Sequence, residues 1–422
     1  MKLYWMELRR SPLRWWFPLF VALDLAALFG RSRWWIGDWP QTSVQTQIPA
    51  FYFAPLLAAG AAWAAGRTSR NNLDAQLGVA ARPAWRIELT QLFATLTYGV
   101  AAYGVGVVAA AVVSAPTAGP GFLWPSYVLL GVALVVAFAS AGHLVGHWSR
   151  SQFVGPVICG LGSFVVIGWA GAPKALGLFV LSGDPFKQVA LPALIARCLL
   201  AVLLVAAAGF VRRSLLPAHR AWNGTASRVG AVTICVSLCV AVVGLLATAP
   251  VQVERSAPRQ PLCTTGSPAV CLWPDDRKYL PQAQGMTERL RQLPSGMFSV
   301  PPVFYERGVR GPQHAFEDFY ILEGSMWDAS ETVAGSILHA SRPQGCPLPL
   351  GDKITPQFVL ATGELNMWLA MRIYGGGRPA DMHGGPPGVD MDAIARVITQ
   401  PEGEQLAWVT QRTETIHHAY CG

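Results

Sequence analysis

Residues 70–90 read RNNLDAQLGVAARPAWRIELT and lie between two stretches that are apolar enough to cross a membrane. The segment begins with charged and amide side chains, continues through an apolar turn and ends on Arg82, Pro83 and Arg86. Its polar ends and its apolar centre predict more than a simple turn. Its role is inferred from the charge and hydropathy of the segments on either side.

Charged residues are divided unevenly along the chain of 422 residues. Hydrophobic residues make up 52% of it and charged residues only 13%, about half the charged fraction of a typical soluble domain. Residues 1–250 contain 18 Lys and Arg against 6 Asp and Glu, whereas residues 251–422 contain 14 against 18. This division predicts a basic membrane domain followed by a mildly acidic aqueous domain.

Several apolar stretches reach or approach the roughly 20 residues that a helix needs to cross the hydrocarbon layer. They lie at about 15–30, 47–66, 89–113, 125–147, 153–171, 192–211 and 229–248. A buried soluble core explains one or two such runs, but not seven. The sequence therefore predicts an all-α polytopic membrane bundle with seven spans.

The Lys and Arg residues of the short loops predict the orientation of these spans. With the N-terminus in the cytoplasm, thirteen Lys and Arg residues fall in the inner segments and four in the outer loops. No small-residue cleavage site follows the first span, which predicts an uncleaved anchor. The expected location is the cell membrane, with the C-terminal domain extracytoplasmic.

The cysteines agree with that orientation. Cys159, Cys198, Cys235 and Cys239 fall inside predicted spans, where cysteine behaves as a small apolar residue. The other four lie in the outer domain, where an oxidising compartment favours two disulfides. The favoured pairs are Cys263 with Cys271 and Cys346 with Cys421. A zinc site is the alternative, but no C-x-x-C or H-x-x-x-H pattern accompanies these four residues.

As a helix, the quoted stretch places Leu73 and Leu77 on a short apolar stripe, with Asp74 facing elsewhere. Pro83 breaks that helix, and a second helix then begins with Trp85 at the membrane interface. An ordinary amphipathic connector with positive-inside arginines is the alternative interpretation of the loop.

Three segments resemble the ABC-2 type transporter permeases. In that family, a loop similar to residues 70–90 forms the cytoplasmic coupling helix, which docks on a separate ATPase subunit. The run MELRRSPLRWWFPLFVAL at 6–23 is similar to the basic amphipathic helix that leads into the family's first span. The run GAPKALGLFVLSGDPFKQVALPA at 171–193 resembles the outer segment that holds short re-entrant helices.

The resemblance covers residues 1–215 and implies a six-span ABC-2-like transmembrane domain. Residues 216–249 then form a cytoplasmic linker and a seventh helix, and residues 250–422 a mainly helical, disulfide-bonded extracytoplasmic domain, both additional to the family pattern. Asn71 and Asn72 stand where the family more often has acidic residues. The resemblance implies that the loop 67–88 docks on the ATPase through Leu73, Asp74, Leu77, Arg82, Pro83 and Arg86.

The resemblance also implies the partners. No G-x-x-x-x-G-K-[ST] motif occurs in the chain, so ATP hydrolysis would require a separate ABC ATPase subunit. Such permeases pair, which implies a homodimer or a heterodimer with a second permease in the lipid bilayer. No cofactor and no nucleic acid partner are expected, and the Arg-rich, Ala-rich and Gly-rich composition is typical of a bacterial source.

Three polar residues inside the predicted spans are candidates for a substrate or metal site. Asp24 lies in the middle of the first span, where a carboxylate is costly and turns toward the bundle interior. It is expected to contact either substrate or a neighbouring helix. His143 and His147 share a helix face, but no Asp, Glu or Cys is near them in sequence. The pair is therefore predicted to be interfacial, beside Arg150, and no metal site is expected.

The outer domain is predicted to be mainly helical. Helices are expected in KYLPQAQGMTERLRQL, in DASETVAGSILHA, where Asp328 and Glu331 are spaced as a capping box, in TPQFVLATGELNMWLAMRIY and near the C-terminus, and PPVFYE is expected to form a short strand. The H-E-x-x-H pattern is absent around His339, and no G-x-S-x-G motif occurs. No catalytic residues are predicted.

Two functions follow from these features. The first is the permease subunit of an ATP-driven exporter, which the loop 67–88 favours. The second is a non-transporting anchor that presents an extracytoplasmic recognition or signalling domain. The acidic outer domain does not distinguish between the two.

The charge bias predicts the accessibility of both termini. Protease added to spheroplasts is expected to remove a tag placed after Gly422 and to leave a tag placed before Met1 intact, because thirteen basic residues lie in the inner segments and four in the outer loops. Immunoblotting for each tag measures the outcome. A protected C-terminal tag together with a cleaved N-terminal tag would contradict this topology.

Overall fold

The computed structural model describes most of the chain. The described residues are 2–30, 33–67, 84–149, 151–170, 177–215, 224–248, 250–294, 296–314, 317–322, 324–346, 354–377 and 385–421. They divide into two compact units, Met1–Val253 and Glu254–Gly422. The predicted boundary at residue 250 lies close to this division.

The first unit is a helical bundle. Its helices are α1 (Lys2–Arg10), α2 (Leu13–Phe29), α3 (Trp39–Gln45), α4 (Ile48–Ala65), α5 (Ala84–Ser114), α6 (Pro125–Trp148), α7 (Val154–Ala170), α8 (Leu191–Leu215) and α9 (Gly224–Ala247). Strands β1 (Lys187–Val189) and β2 (Gln252–Glu254) form a two-stranded sheet. Helix α4 lies at the centre and packs against α2, α5, α6 and α7, while α8 packs against α5, α6 and α9.

Several of these helices have the length and apolar character to cross a membrane. The candidates are Trp39–Ala65, Trp85–Ser114, Pro125–His147 and Leu191–Gly209. Helices α1 and α2 meet the same criteria as a pair bent by 68°, and Val154–Trp169 and Val236–Ala247 are shorter apolar helices. The first unit therefore contains several apolar helices that could cross a membrane, as predicted, and the count of seven spans stays a prediction.

One candidate span begins earlier than the sequence indicated. All seven residues of α3 are buried, and they precede α4, so the helical segment starts at Trp39 rather than at residue 47. The Asp38 carboxylate caps α3 by accepting a hydrogen bond from the Gln41 N–H at 3.1 Å. Pattern analysis missed α3 because its Gln, Thr and Ser side chains are not apolar.

The outer segment 171–193 differs from the expectation of re-entrant helices. Residues 177–190 contain the strand β1 and no helix, and residues 171–176 lie outside the described part. Amide side chains around α3 fix the segment instead. The Gln41 Oε1 accepts a hydrogen bond from the Gly183 N–H at 3.0 Å, and the Gln47 Oε1 accepts one from the Val180 N–H at 3.3 Å.

The second unit is mostly helical and has a small sheet. Its helices are α10 (Leu280–Arg291), α11 (Trp327–Ala340), α12 (Pro356–Tyr374), α13 (Met391–Ile398) and α14 (Glu402–Cys421). Strand β3 (Leu262–Cys263) pairs antiparallel with β4 (Ala269–Leu272), which pairs parallel with β5 (Val303–Tyr305). The predicted helices and the PPVFYE strand are present, whereas β3 and β4 were not predicted.

Helix α12 organises the core of the second unit. It packs against α10, α11, α13 and α14, and it buries Leu365, Trp368 and Leu369 among 26 buried core residues. The Thr355 hydroxyl caps its first turn by accepting a hydrogen bond from the Phe358 N–H at 3.2 Å, and Gly375 ends it with a φ of 143°. A helix with this buried face supports a core independent of the first unit.

The predicted capping box of α11 is wrong. The helix begins at Trp327, so Asp328 lies inside the first turn rather than at the cap. The Glu331 carboxylate accepts a hydrogen bond from the Trp327 indole N–H at 2.6 Å instead. Burial raises the pKa of Glu331 above its ordinary value, because a half-buried carboxylate loses hydration.

Both favoured disulfides are present. Cys263 is bonded to Cys271 across the β3–β4 pair, and Cys346 is bonded to Cys421 at the end of α14. Among the described cysteines, Cys159, Cys198 and Cys239 are free. The second bond ties the C-terminal helix to the segment after α11, as the spacing predicted.

The two disulfides are expected to contribute unequally to the stability of the second unit. The bonded pairs are separated by 75 and 8 positions, so the chain-entropy model gives about 4.5 kcal/mol for Cys346–Cys421 and about 2.5 kcal/mol for Cys263–Cys271. The double substitution Cys346→Ser with Cys421→Ser should therefore lower the melting temperature more than Cys263→Ser with Cys271→Ser. Thermal unfolding of the full chain, followed by limited proteolysis, measures the difference.

Cys239→Ser is the matched control, because Cys239 is free and exposed. Equal melting temperatures for the two double variants, or four free thiols in the wild-type protein by non-reducing mass mapping, would contradict this expectation.

Candidate functional site

Residues 67 and 84, which flank the segment 68–83, belong to the first unit. Helix α1 contacts residues on either side of this segment. The Arg67 Nη2 contacts the Glu7 carboxylate at 2.9 Å, and the Tyr98 hydroxyl donates a hydrogen bond to the Leu8 carbonyl at 2.8 Å. We call this region the loop end and define it by Glu7, Arg67, Glu88, His143 and His147.

The predicted docking residues lie mostly beyond the described part of the chain. Leu73, Asp74, Leu77, Arg82 and Pro83 fall within residues 68–83 and have no described structure. The sixth, Arg86, is exposed in the first turn of α5, where its guanidinium lies 5.2 Å from the centre of the Trp85 ring. It is therefore accessible at the loop end.

A compact cluster of ionisable side chains lies beside that turn. The Glu88 Oε2 is 2.8 Å from the His147 Nε2 and 3.3 Å from the His143 Nε2. The two Nε2 atoms are 3.3 Å apart. One atom from each side chain thus converges on the same point. We call Glu88, His143 and His147 the His-Glu cluster.

The cluster is enclosed by the bundle. Glu88 and His143 are fully buried, and the side chain of His147 is 7% exposed. A carboxylate removed from water needs hydrogen bonds or an opposite charge to offset its lost hydration. The imidazole groups provide both kinds of contact, and the described residues contain no other group of three metal-ligating side chains in such proximity.

Close packing of two helices orients the histidines. Gly142 and Gly146 of α6 lie directly against the backbone of Ala58 and Ala62 in α4, and a Cβ at either glycine would overlap that backbone. The two histidines each follow one of these glycines. The glycine face therefore fixes the rotation of α6 that presents His143 and His147 to α5.

This arrangement corrects the expectation for the histidine pair. They were predicted to lie at the interface beside Arg150, without an acidic residue nearby. His143 is fully buried and Glu88 contacts both rings, so the expectation that no acidic residue is near them is wrong. The interfacial position beside Arg150 stays a prediction, since Arg150 lies outside the described residues. Sequence analysis assigned Glu88 to the end of the docking loop. The missed signal is a carboxylate at the start of one apolar helix and an H-x-x-x-H pair at the end of the next.

Asp24 occupies a second buried polar position. It is 1% exposed, and its carboxylate lies against Gly106 of α5, where a Cβ would overlap it. Thus Asp24 faces the bundle interior, as expected, and contacts a neighbouring helix. Asp24 contacts α5 at Gly106, several turns away from Glu88, and is not part of the His-Glu cluster.

The second unit contains a cavity of about 380 Å³ between α11, α12 and α14. Among its lining residues are His339, Asn366 and His417. The His339 Nε2 forms a hydrogen bond with the Arg342 guanidinium at 2.6 Å. No acidic side chain is among its described lining residues, so none of its histidines is paired with a carboxylate inside this cavity.

Comparisons of the chain with protein-family models, with curated proteins and with solved structures gave no match. The structure itself is mostly helical, with several apolar helices that could cross a membrane and a second unit that contains two disulfides. The function of the protein is therefore inferred from the chemistry and contacts of the loop end.

The helix contact at the glycines gives a stability prediction. Gly142→Val and Gly146→Val should each separate α6 from α4, because overpacking a tight contact costs about 1–3 kcal/mol or more. Both variants are expected to melt several degrees below the wild type, as measured by thermal unfolding in detergent.

Gly162→Val is the matched control, because no atom lies within 4 Å of the position that its Cβ would occupy. A wild-type melting temperature for Gly146→Val would show that the glycine contact does not position α6.

Proposed function

We propose that this protein is the permease subunit of an ATP-driven exporter and that a separate ATPase subunit docks on the loop 67–88. The observation that carries the proposal is the position of α1. This basic helix bends by 68° from α2 and contacts Arg67 at the start of the loop and Tyr98 in the middle of α5, the helix that follows the loop.

These contacts suit a docking element. The start of the loop is tied to α1 through the Arg67–Glu7 ion pair. The end of the loop continues into α5, a single helix of 31 residues. A force applied to residues 84–88, which belong to both the loop and α5, would therefore reach the bundle along one long helix, and rigid elements of this kind transmit coupling between sites.

The surface at the loop end has the chemistry of a protein contact. Arg86 is exposed there, and the loop carries Leu73 and Leu77 on one face of its predicted helix. Exposed apolar residues rimmed by charge mark interaction sites. The proposed partner is an ATPase subunit, and covering of this stripe by the membrane surface is the alternative that the experiment separates.

An exposed apolar face of the bundle supports the proposal of a second permease. Helix α7 packs against α4 on one side and exposes Val157, Leu161, Val165 and Trp169. Lipid or a second permease would cover these side chains in a bilayer. We propose a homodimer or a heterodimer, with the second unit outside the cell, where its disulfides are stable.

The alternative is a non-transporting anchor that presents the second unit for recognition or signalling. The cavity of about 380 Å³ in that unit is the observation in its favour, since small-molecule sites are concave and of this order of volume. The anchor requires no ATPase partner, and this difference decides between the two functions.

Copurification tests the docking proposal. The wild-type protein, solubilised from its native membrane, should bring down an ABC ATPase that mass spectrometry identifies. Leu77→Asp should reduce the recovered ATPase by more than about tenfold, because burying an unpaired carboxylate at an interface costs several kcal/mol. Arg86→Glu should also reduce it, by reversing the charge beside the loop.

Arg33→Glu is the matched control for Arg86→Glu. Arg33 is also exposed, and the adjacent Trp35 packs against Ala110 near the opposite end of α5. Wild-type recovery with this control and loss with the loop variants, at equal abundance in the membrane, supports docking. If the wild type recovers no ATPase, or if Leu77→Asp recovers it fully, the exporter proposal fails and the anchor takes its place.

A further inference from the structure

We propose that the His-Glu cluster of Glu88, His143 and His147 binds one divalent transition-metal ion, of which Zn²⁺ is the best fit, and that the ion joins α5 to α6 at the loop end. This inference rests on the geometry of the cluster and does not depend on the exporter function.

The donor atoms have the separations that a tetrahedral metal requires. The three distances between Glu88 Oε2, His143 Nε2 and His147 Nε2 are 2.8, 3.3 and 3.3 Å. Zinc binds imidazole nitrogen and carboxylate oxygen at about 2.0–2.1 Å in tetrahedral sites, which puts neighbouring donor atoms about 3.3 Å apart. A shift of Glu88 by a few tenths of an ångström completes this face of the tetrahedron.

The ligand types select the class of metal. Two imidazoles and one carboxylate suit zinc and the neighbouring transition metals. Magnesium and calcium prefer sites made of oxygen ligands, and the cluster offers oxygen only from Glu88. No thiolate belongs to the cluster, so softer metals that favour sulfur are a poorer fit.

A hydrogen-bonded trio without metal is the competing explanation. In that arrangement His147 donates its Nε2–H to the Glu88 carboxylate, and the tautomer of His143 decides whether its Nε2 also donates to Glu88 or accepts from His147 at 3.3 Å. A cation placed at the centre would be bound by all three atoms at once and would neutralise the buried carboxylate. Ionisable residues among apolar helices are costly and mark functional sites.

The surroundings of the cluster hold further polar atoms. Gln91 lies one turn after Glu88 on α5, and Ser140 lies one turn before His143 on α6; both are buried. The Gln91 Oε1, the Ser140 hydroxyl and the His143 Nδ1 make no hydrogen bond with a described residue. Polar atoms next to a cluster provide the outer contacts with which proteins orient metal ligands and bound water.

Three protein ligands leave one coordination position for water or another ligand. The zinc-peptidase pattern places a general-base glutamate directly after the first histidine, but Leu144 occupies that position here. The cluster therefore supports binding of the ion rather than hydrolysis. Its consequence is mechanical, since the metal would link α5, which continues from the loop, to α6.

Metal analysis of the full chain tests the proposal. The protein is purified in detergent with an affinity tag that contains no histidine, stripped with a chelator, and titrated with Zn²⁺ alone. We expect one Zn²⁺ per chain, bound with a Kd of about 1 µM or below, and a metal-dependent rise in melting temperature. Co²⁺ in place of Zn²⁺ should give the visible absorption of a tetrahedral site, without a thiolate charge-transfer band.

Single substitutions locate the bound ion. Glu88→Gln and His147→Ala should each weaken Zn²⁺ binding by at least 100-fold and abolish the metal-dependent change in melting temperature. His418→Ala is the matched control, because His418 is exposed on α14 of the second unit, and this variant should bind Zn²⁺ like the wild type.

Two results would overturn the proposal. One is a wild-type protein that takes up less than a tenth of an equivalent of Zn²⁺ when the free ion is at 10 µM, which would leave the hydrogen-bonded trio as the explanation of the cluster. The other is wild-type affinity in Glu88→Gln and His147→Ala, which would place the ion elsewhere. Should both variants fail to fold, the Co²⁺ spectrum of the wild type decides the matter, since a missing tetrahedral band or a thiolate band excludes this ligand set.

Discussion

The contact between α4 and α6 is the constraint on which the loop end depends. Gly142 and Gly146 let the two backbones approach so closely that no side chain fits between them. Small residues are used in this way in membrane helices, because lipid tails provide no hydrophobic force that would drive one apolar helix onto another. This contact fixes the rotation of α6 about its own axis, so that His143 and His147 face Glu88.

The His-Glu cluster then connects two helices, α5 and α6. Glu88 is the fifth residue of α5 and follows the exposed Arg86 by two positions. The histidines lie near the end of α6, deep enough to be buried. Electrostatic interactions are stronger in such an enclosed place than at a surface, because little water is present to screen them. The contact between α5 and α6 therefore depends on the charge and occupancy of the cluster.

This dependence bears on both proposals without making one rest on the other. If an ATPase docks on the loop 67–88, the motion that it imposes enters the bundle through α1 and α5. A metal ion bound by both α5 and α6 would make the contact between these two helices more rigid. If the protein is an anchor, the same ion would serve as a staple between two helices, as structural zinc does in small soluble domains.

The second unit is stabilised by different means. Its core is built around α12, and two disulfides hold its edges, one across the β3–β4 pair and one at the C-terminal helix. The carboxylates near its surface form ion pairs of the kind found in aqueous domains. Arg310 contacts both Glu317 and Asp318, and hydrogen bonds from Arg310 hold the pKa of Glu317 below its ordinary value. Burial raises the pKa of its neighbour Asp318.

The sequence by itself indicated a helical membrane protein, because long apolar runs and a low charge content depend on composition and period alone. It also favoured one of the three possible pairings of the four outer cysteines, since the short spacing of Cys263 and Cys271 leaves Cys346 and Cys421 for each other. The helices of the second unit were predictable from their apolar period. None of these features requires knowledge of which helices are neighbours.

Only the tertiary structure decided the rest. The polar helix α3 joins the bundle because its Gln41 and the neighbouring Gln47 bond to backbone groups of the segment 180–183, which no local pattern reveals. Glu88 looked like the end of a loop and the histidines like an interfacial pair, because the residues are far apart in the chain. They become one site through the packing of α6 on α4 and α5, and the chemistry of a site depends on distances in space that the order of residues does not record.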